Sequence, residues 1–331
     1  MFNGGLDMSY PKISIITPSF NQGRYLEETI LSIISQDYPN YELIIIDAGS
    51  SDNTVEVIRK YEPWITYWVS EKDRGQSHAI RKGLAQATGD IINWINSDDL
   101  CAPGAFYHIA AEFDLGTHDV LCGYCDYFLN DIEHLDKRNE RMGVFATVGD
   151  TLLRCHMNQP STFFKASVFR DLDIDEDFHY TMDVDLWYRY LLMAGQSRIM
   201  LSDKLLTYFR LHSTSKTVSE FDKFEGDVTK VYYNVLASLR QPAALLDFVK
   251  LTIPDLSNFK PKKYRIGVSV DEVKVFIRNH AWRAMIYYNE IRDYRSAQEC
   301  LRIARHYGQP LNLALIRQIF KHQIIPAKLL P

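Results

Sequence analysis

The sequence predicts an α/β fold built on a mostly parallel, Rossmann-like sheet. Two observations carry this. Four short apolar runs rich in β-branched residues alternate with three helical patterns between Ile13 and Ile95, and each run ends in a polar turn. Such alternation implies right-handed crossovers and a sheet covered on both faces. At 331 residues the chain has room for one large domain of this kind plus a smaller appendage.

Ile13-Ser-Ile-Ile-Thr17 is the first strand, closed by Pro18. Tyr25 to Gln36 follows as a helix, with Leu26, Ile30, Ile33 and Ile34 on one stripe and Glu27 and Glu28 expected in its first turn. Tyr41 to Ile46 is a strand whose continuous apolar run suits burial on both faces. Ser51 opens a helix that runs to about Tyr61. Thr66 to Val69 is the third strand, Ser77 to Gln86 a helix stopped by Gly89, and Ile91 to Ile95 the fourth strand.

Residues from about 100 to 218 read as mixed α/β and extend the same domain, taken as 1–220. The rest, 221–331, reads as helices. Asp271–Asn289 and Tyr294–Tyr307 look like an antiparallel pair, with Leu251–Gly267 and its Lys-Pro-Lys-Lys run as the expected hinge. Ala297, Leu301, Ala304 and Pro310 resemble half of a tetratricopeptide unit, although one such unit cannot stack alone.

Composition narrows the function. With 46% hydrophobic residues the chain can bury a core. A formal charge of −5 argues against nucleic acid as a partner, so any phosphate site must be built locally by a metal or a few placed cations. Five cysteines without paired spacing suit reduced thiols in a cytoplasm; Cys122 and Cys125 have the CxxC spacing but no second pair. Residues 1–10 lack the pattern of a signal peptide, and no run is long enough to span a bilayer. Oligomeric state is not legible.

Ligands of such sheets bind beyond the carboxyl ends of the strands. There stand Pro18-Ser-Phe-Asn21, Asp47 to Asp52, Ser70 to Gly75, and Asn96-Ser-Asp-Asp99. Asp52, beside Thr54, suits a helix cap as well as a ligand. Asp98 and Asp99 are adjacent carboxylates that repel unless a positive group lies between them, and a divalent cation would serve. No GxGxxG follows the first strand, which argues against a dinucleotide enzyme.

The first 100 residues resemble the family 2 glycosyltransferases of the GT-A fold, in particular those of bacterial polysaccharide biosynthesis. The resemblance rests on residues 15–21, on Ile46 to Asp52, on Ser70 to Gly75, and on Asn96 to Asp99 as a DxD-type motif. It implies a GT-A α/β/α sandwich with a C-terminal helical appendage, and Mn²⁺ or Mg²⁺ as cofactor. The implied activity is inverting transfer of a sugar from a nucleotide-diphosphate sugar, UDP-sugar favoured, to a hydroxyl of a glycan or lipid-linked glycan. Pro18, Ser19, Phe20, Asn21, Asp47, Asp73, Arg74, Asp98 and Arg210 would contact the donor. Asp98, Asp99 and His212 would meet the metal. In Tyr180 to Arg189 the general base falls on Asp183, with Asp185 as runner-up, and Gln159 and Ser161 would face the acceptor.

Departures from the family pattern are Ala48 for a second Asp, Asn96 for the first Asp of DxD, and Met182 for a Glu. They favour a rival reading as a weak or inactive nucleotide-sugar-binding scaffold. The stretch 311–330, apolar with Arg317, Lys321 and Lys328 and no acid, suits either core packing or a peripheral contact with the inner face of the cell membrane.

Overall fold

A computed structural model describes residues 10–130, 132, 133, 135–212, 221–253 and 256–310. The expectations for 1–9 and for 311–330 lie outside these residues. Two compact units emerge: one of Met1–Met142, Met157–Leu186 and Ser197–Phe221, the other of Gly143–His156, Trp187–Gln196 and Asp222–Pro331.

The first unit carries β1 (Ile13–Ser19), α1 (Gly23–Ile34), β2 (Tyr41–Asp47), α2 (Thr54–Lys60), β3 (Tyr67–Ser70), α3 (Gln76–Gln86) and β4 (Ile91–Trp94), in the expected order. These four strands are parallel neighbours in the order β3-β2-β1-β4. β1 therefore lies between β2 and β4, and the crevice at its carboxyl end is the topological switch point where ligands of open α/β sheets bind. Register puts Ser19 opposite Asp47 and Asp47 opposite Ser70, so three polar residues end their strands in one row.

The sheet continues through β8 (Thr162–Lys165), β6 (Val120–Leu129), β9 (Ile199–Leu211) and β5 (Leu100–Cys101), with β7 (Leu135–Glu140) paired on β6. This half is mixed: β6 and β9 run parallel, and the other pairs antiparallel. α4 (Ala105–Glu112), α6 (Ala166–Leu172) and the start of α7 (Met182–Ala194) complete the unit. Ile13, Ile15, Leu43 and Ile45 of the sheet pack with Leu26, Ile30 and Ile33 of α1 and Phe106 of α4. Cys101, Cys122 and Cys125 are buried, and burial pushes all three thiols up to about 12, as suits core packing.

One detail of α1 departs from expectation. The helix begins at Gly23, so Glu27 and Glu28 stand a turn further in than the dipole argument required. They serve tertiary pairs instead: Glu27 with Lys60 at 2.5 Å and Glu28 with Arg210 at 2.7 Å.

In the second unit α5 (Val148–Arg154) and the later part of α7 join α8 (Phe221–Ser238), α9 (Ala243–Lys250), α10 (Val270–Glu290) and α11 (Tyr294–His306). Ser269 and Glu272 form a capping box that starts α10. α11 lays Ala297, Cys300, Leu301 and Ala304 inward.

The segment expected to be a hinge is instead strapped down. Lys262 N–H donates to Asn234 Oδ1 at 2.9 Å, Tyr264 N–H to Ser238 Oγ at 2.8 Å, and Gly267 N–H to Leu192 O at 2.8 Å. Tyr264 is buried. Proline and lysine density marks a segment without regular structure, but such a segment still packs when its backbone finds donors and acceptors on neighbouring helices.

Gly83 lets α3 lie close on β1, since a Cβ there would meet Ile16 Cγ2 at 2.4 Å. Gly83→Ala gains about 1 kcal/mol of helix propensity but loses more to overpacking, which costs about 1–3 kcal/mol. Urea unfolding of this variant is expected to show a lower midpoint than the parent chain; a raised midpoint would refute the tight α3–β1 contact.

Candidate active site

The site begins at the row of strand ends. Asp47 is fully buried at the end of β2. Its Oδ2 accepts from Gly49 N–H at 3.1 Å, Ser50 N–H at 2.9 Å and Ser70 Oγ at 2.5 Å, and its Oδ1 accepts from Ser50 Oγ. The resemblance implies a contact between Asp47 and the donor, but both oxygens face inward and hold the turn that follows β2. Asn21, in the left-handed region at φ 53°, fastens that turn to β1: its N–H donates to Ser50 Oγ and its Oδ1 accepts from Ser51 N–H. Asp52 ties the starts of α1 and α2 together, accepting at Oδ1 from Thr54 N–H and at Oδ2 from Gly23 N–H, both at 3.0 Å.

Ser19 Oγ and Thr17 Oγ1, on β1, and Asp73 Oδ2, after β3, are buried without a hydrogen-bond partner among the described residues. The other Asp73 oxygen accepts from Gly75 N–H at 2.8 Å. Pro18 is buried and Phe20 is 59% exposed, so the rim presents an apolar face beside these unsatisfied oxygens. Arg74 does not point into this row; its guanidinium pairs with Glu176 at 2.6 Å.

Beyond β4 the turn Asn96–Asp99 is held from three sides. Asp98 Oδ2 lies 2.8 Å from His212 Nε2. Asp99 is buried; its Oδ1 accepts from Arg210 N–H at 3.0 Å and its Oδ2 from Asn96 Nδ2 at 3.1 Å. Burial, together with the Asp98 charge, pushes the Asp99 carboxyl well above the usual carboxylate range, against those two donors. Asp99 was expected to bind metal, but its oxygens already serve protein donors. The metal reading contracts to Asp98 and His212.

Asn96 now has a reason. Its amide donates to Asp99 and its Oδ1 accepts from Gln76 Nε2 at 2.7 Å, linking α3 to the turn. An aspartate there would set a second carboxylate against a buried one.

Arg210, expected on the donor, is 1% exposed. Its Nε donates to Asp98 O at 2.8 Å, its Nη2 pairs with Glu28 at 2.7 Å, and its Nη1 donates to Asn130 O. Tyr25 and Phe128 cover the guanidinium at 4.8 and 4.5 Å from their ring centres. It braces the turn rather than reaching a ligand.

The Tyr25 ring also packs on His212, tilted by 33° with centroids 4.7 Å apart, and Thr29 Oγ1 donates to Asp99 O at 2.9 Å. Tyr25, Glu28 and Thr29 thus form an α1 face that the sequence reading missed. Their i, i+3, i+4 spacing was the available signal.

The fit to a divalent cation can be judged from this donor set. Asp98 and His212 bring one oxygen and one nitrogen to a common point, and Mn²⁺ or Mg²⁺ commonly takes one or two protein groups plus substrate phosphates. Among the described residues no group of three His, Cys, Asp or Glu side chains is placed to hold a metal. The pair fits an ion completed by its substrate.

Asp183 occupies the first turn of α7, where its Oδ1 accepts from Val184 N–H at 2.9 Å. Burial pushes its carboxyl up to about 6, offset in part by that hydrogen bond. Asp185 is fully buried.

The residues expected to face an acceptor do not. Gln159 Nε2 donates to Asn93 Oδ1 at 3.0 Å and Trp94 O at 2.8 Å, and Ser161 Oγ donates to Tyr124 O at 2.8 Å. Both are buried, and their polar groups are spent on neighbouring backbone and side-chain partners.

With this geometry in view, the family model described as Glycosyl transferase family 2 matches residues 14–172. Residues 14–172 thus form a glycosyl transferase family 2 domain. The glycosyltransferase is 28% identical over 226 residues to an uncharacterized glycosyltransferase of Rickettsia typhi, a match covering 65% of this chain and 69% of that one. Its fold is similar to that of S. aureus TarS 1–349 in complex with UDP-GlcNAc, with a TM-score of 0.53 and 18% identity over 90% of this chain and 92% of that one. It is also similar to a Pyrobaculum calidifontis mannosyltransferase in complex with GDP-Man and Mn²⁺, with a TM-score of 0.50 and 17% identity over 97% and 84%. The glycosyltransferase therefore has the GT-A architecture with helices at its carboxyl end.

Removing the brace should be costly. Arg210→Met leaves Asp98 O and Asn130 O without their donor and the half-exposed Glu28 without its partner, and each covered acceptor left unsatisfied costs about 1–3 kcal/mol. Thermal unfolding reads this out. Stability within about 0.5 kcal/mol of the parent would show that Arg210 braces nothing.

Proposed function

We propose that this glycosyltransferase moves a sugar from a nucleotide-diphosphate sugar to a hydroxyl of a glycan or lipid-linked glycan, with inversion at the anomeric carbon. The observation that carries the proposal is the Asp98–His212 pair at 2.8 Å, next to the switch point of the parallel sheet. A UDP-sugar is the favoured donor, supported by the TarS complex with UDP-GlcNAc, and the GDP-Man complex keeps the wider class in view.

The unsatisfied oxygens of Ser19 and Asp73 would receive hydrogen bonds from the nucleoside. Phe20 and Asn21 would border it, and the buried Asp47 would keep the turn beneath it in shape. Asp98 and His212 would hold Mn²⁺ or Mg²⁺ between themselves and the diphosphate. Bound there, the ion supplies neutralisation of negative charge on the leaving group.

Asp183 takes the acceptor proton as the hydroxyl oxygen attacks the anomeric carbon. The bond from that carbon to the diphosphate oxygen breaks on the opposite face. A base must be ionised to act and basic enough to hold the proton, and a pKa near 6 meets both needs at neutral pH. A lipid-linked acceptor would place the enzyme at the cytoplasmic surface of a membrane; no described helix is long and apolar enough to cross one.

Nucleotide diphosphates and nucleotide-sugars can be screened by thermal shift with Mn²⁺ and with chelator. The expected result is stabilisation by one nucleotide class that disappears with chelator, and a flat panel would remove the donor assignment. Asp183→Asn is expected to keep that shift while transfer falls at least about a hundredfold. In the parent chain kcat/KM should rise with pH through about 6, because the ionised carboxylate is the active form. Unchanged transfer by Asp183→Asn would assign the base elsewhere. Nucleotide binding without any transfer by the parent would favour the scaffold reading.

A further inference from the structure

Charge is divided sharply along the chain. Residues 1–255 hold 23 Lys and Arg against 37 Asp and Glu, whereas residues 256–331 hold 14 against 5. A net charge of −5 conceals a segment of +9. Such asymmetry points to an anionic partner for one end of the chain.

The second unit shows where the positive charge is displayed. In α11 the inward residues are Ala297, Cys300, Leu301 and Ala304, and every exposed residue is cationic or titratable to a cation: Arg295, Arg302, Arg305 and His306. The turn before this helix adds exposed Arg292 beside Ile291, which is 54% exposed, and Ile286 one turn earlier is 37% exposed. A helix lying on a bilayer surface combines these features: cations at the level of anionic headgroups and apolar side chains beside them to enter the acyl boundary. A soluble acidic polymer would be met by the cations alone and gives the exposed isoleucines nothing to do.

We propose that the outer face of α11, with Arg292 and Ile291, docks the enzyme on an anionic phospholipid surface. This deepens the lipid-linked-acceptor reading by assigning the docking face, yet it stands on observations independent of the transfer site. None of the residues involved belongs to the nucleotide or base machinery.

The test is co-sedimentation of the full chain with vesicles of phosphatidylcholine, with and without phosphatidylglycerol. Binding is expected only when phosphatidylglycerol is present, and should weaken as salt screens the charges. Each cation near such a surface contributes roughly fivefold in affinity, so the triple change Arg295→Glu, Arg302→Glu, Arg305→Glu should weaken binding about a hundredfold. The matching triple change to Lys should bind like the parent, which separates charge from fold. Thermal shift by a nucleotide-sugar serves as the fold control, and its failure in the parent would count against the donor reading rather than this one. Equal binding to neutral vesicles, absence of binding to both, or full binding by the glutamate variant with its nucleotide shift intact would each overturn the proposal. So would capture by soluble polyphosphate without vesicle binding, which would assign the face to an acidic polymer.

Discussion

Arg210 is the residue on which the geometry of the first unit turns. A guanidinium taken out of water must find partners for its donors or lose more than it gains. Here those partners lie on α1, on the Asn96–Asp99 turn and just after β6, so one side chain ties three separate stretches of chain together. Its backbone N–H adds a fourth tie, to Asp99. The consequence is positional: with Asp98 O and Asp99 both anchored, the Asp98 carboxylate is left facing His212, two residues further along the same strand and turn. The brace and the candidate ligand are thus set by one short segment, Arg210-Leu-His212.

The parallel half of the sheet was legible because burial of β1, β2 and β4 on both faces leaves apolar runs rich in isoleucine, and every strand from β1 to β4 fell within a few residues of its expected place. The mixed half was not. β6, β8 and β9 pair out of chain order, and pairing across long sequence separations leaves no local signal. Residues 143–156 and 187–196 likewise join the helical unit rather than the sheet, which no composition shift announces.

For the site, residue type was a better guide than residue role. The strand-end rule pointed to turns that the fold brings together, but Asp47, Asp99 and Arg210 serve protein donors and acceptors there, and so do Gln159 and Ser161 in their own loop. A buried polar side chain must be satisfied, and the sequence does not say whether by a ligand or by the fold. Asn96 is the instructive case. As a departure from the family pattern it looked like a loss; beside a buried carboxylate it is the residue that can donate. Tyr25, Glu28 and Thr29 escaped notice for the opposite reason, since on an amphipathic helix they read as packing and solvation.

Asp183 carries a cost that falls on the fold. Its folded carboxyl titrates near 6, above the value of about 3.9 for a carboxyl in an unfolded chain. Below both values the group is neutral in either state. As pH rises between them the unfolded chain gives up its proton readily while the folded chain resists, so the balance shifts toward unfolding until both are ionised. At neutral pH the protein holds a carboxylate its own structure disfavours. An amide at this position would remove that cost, so the acid is a place where the sequence accepts a loss of stability.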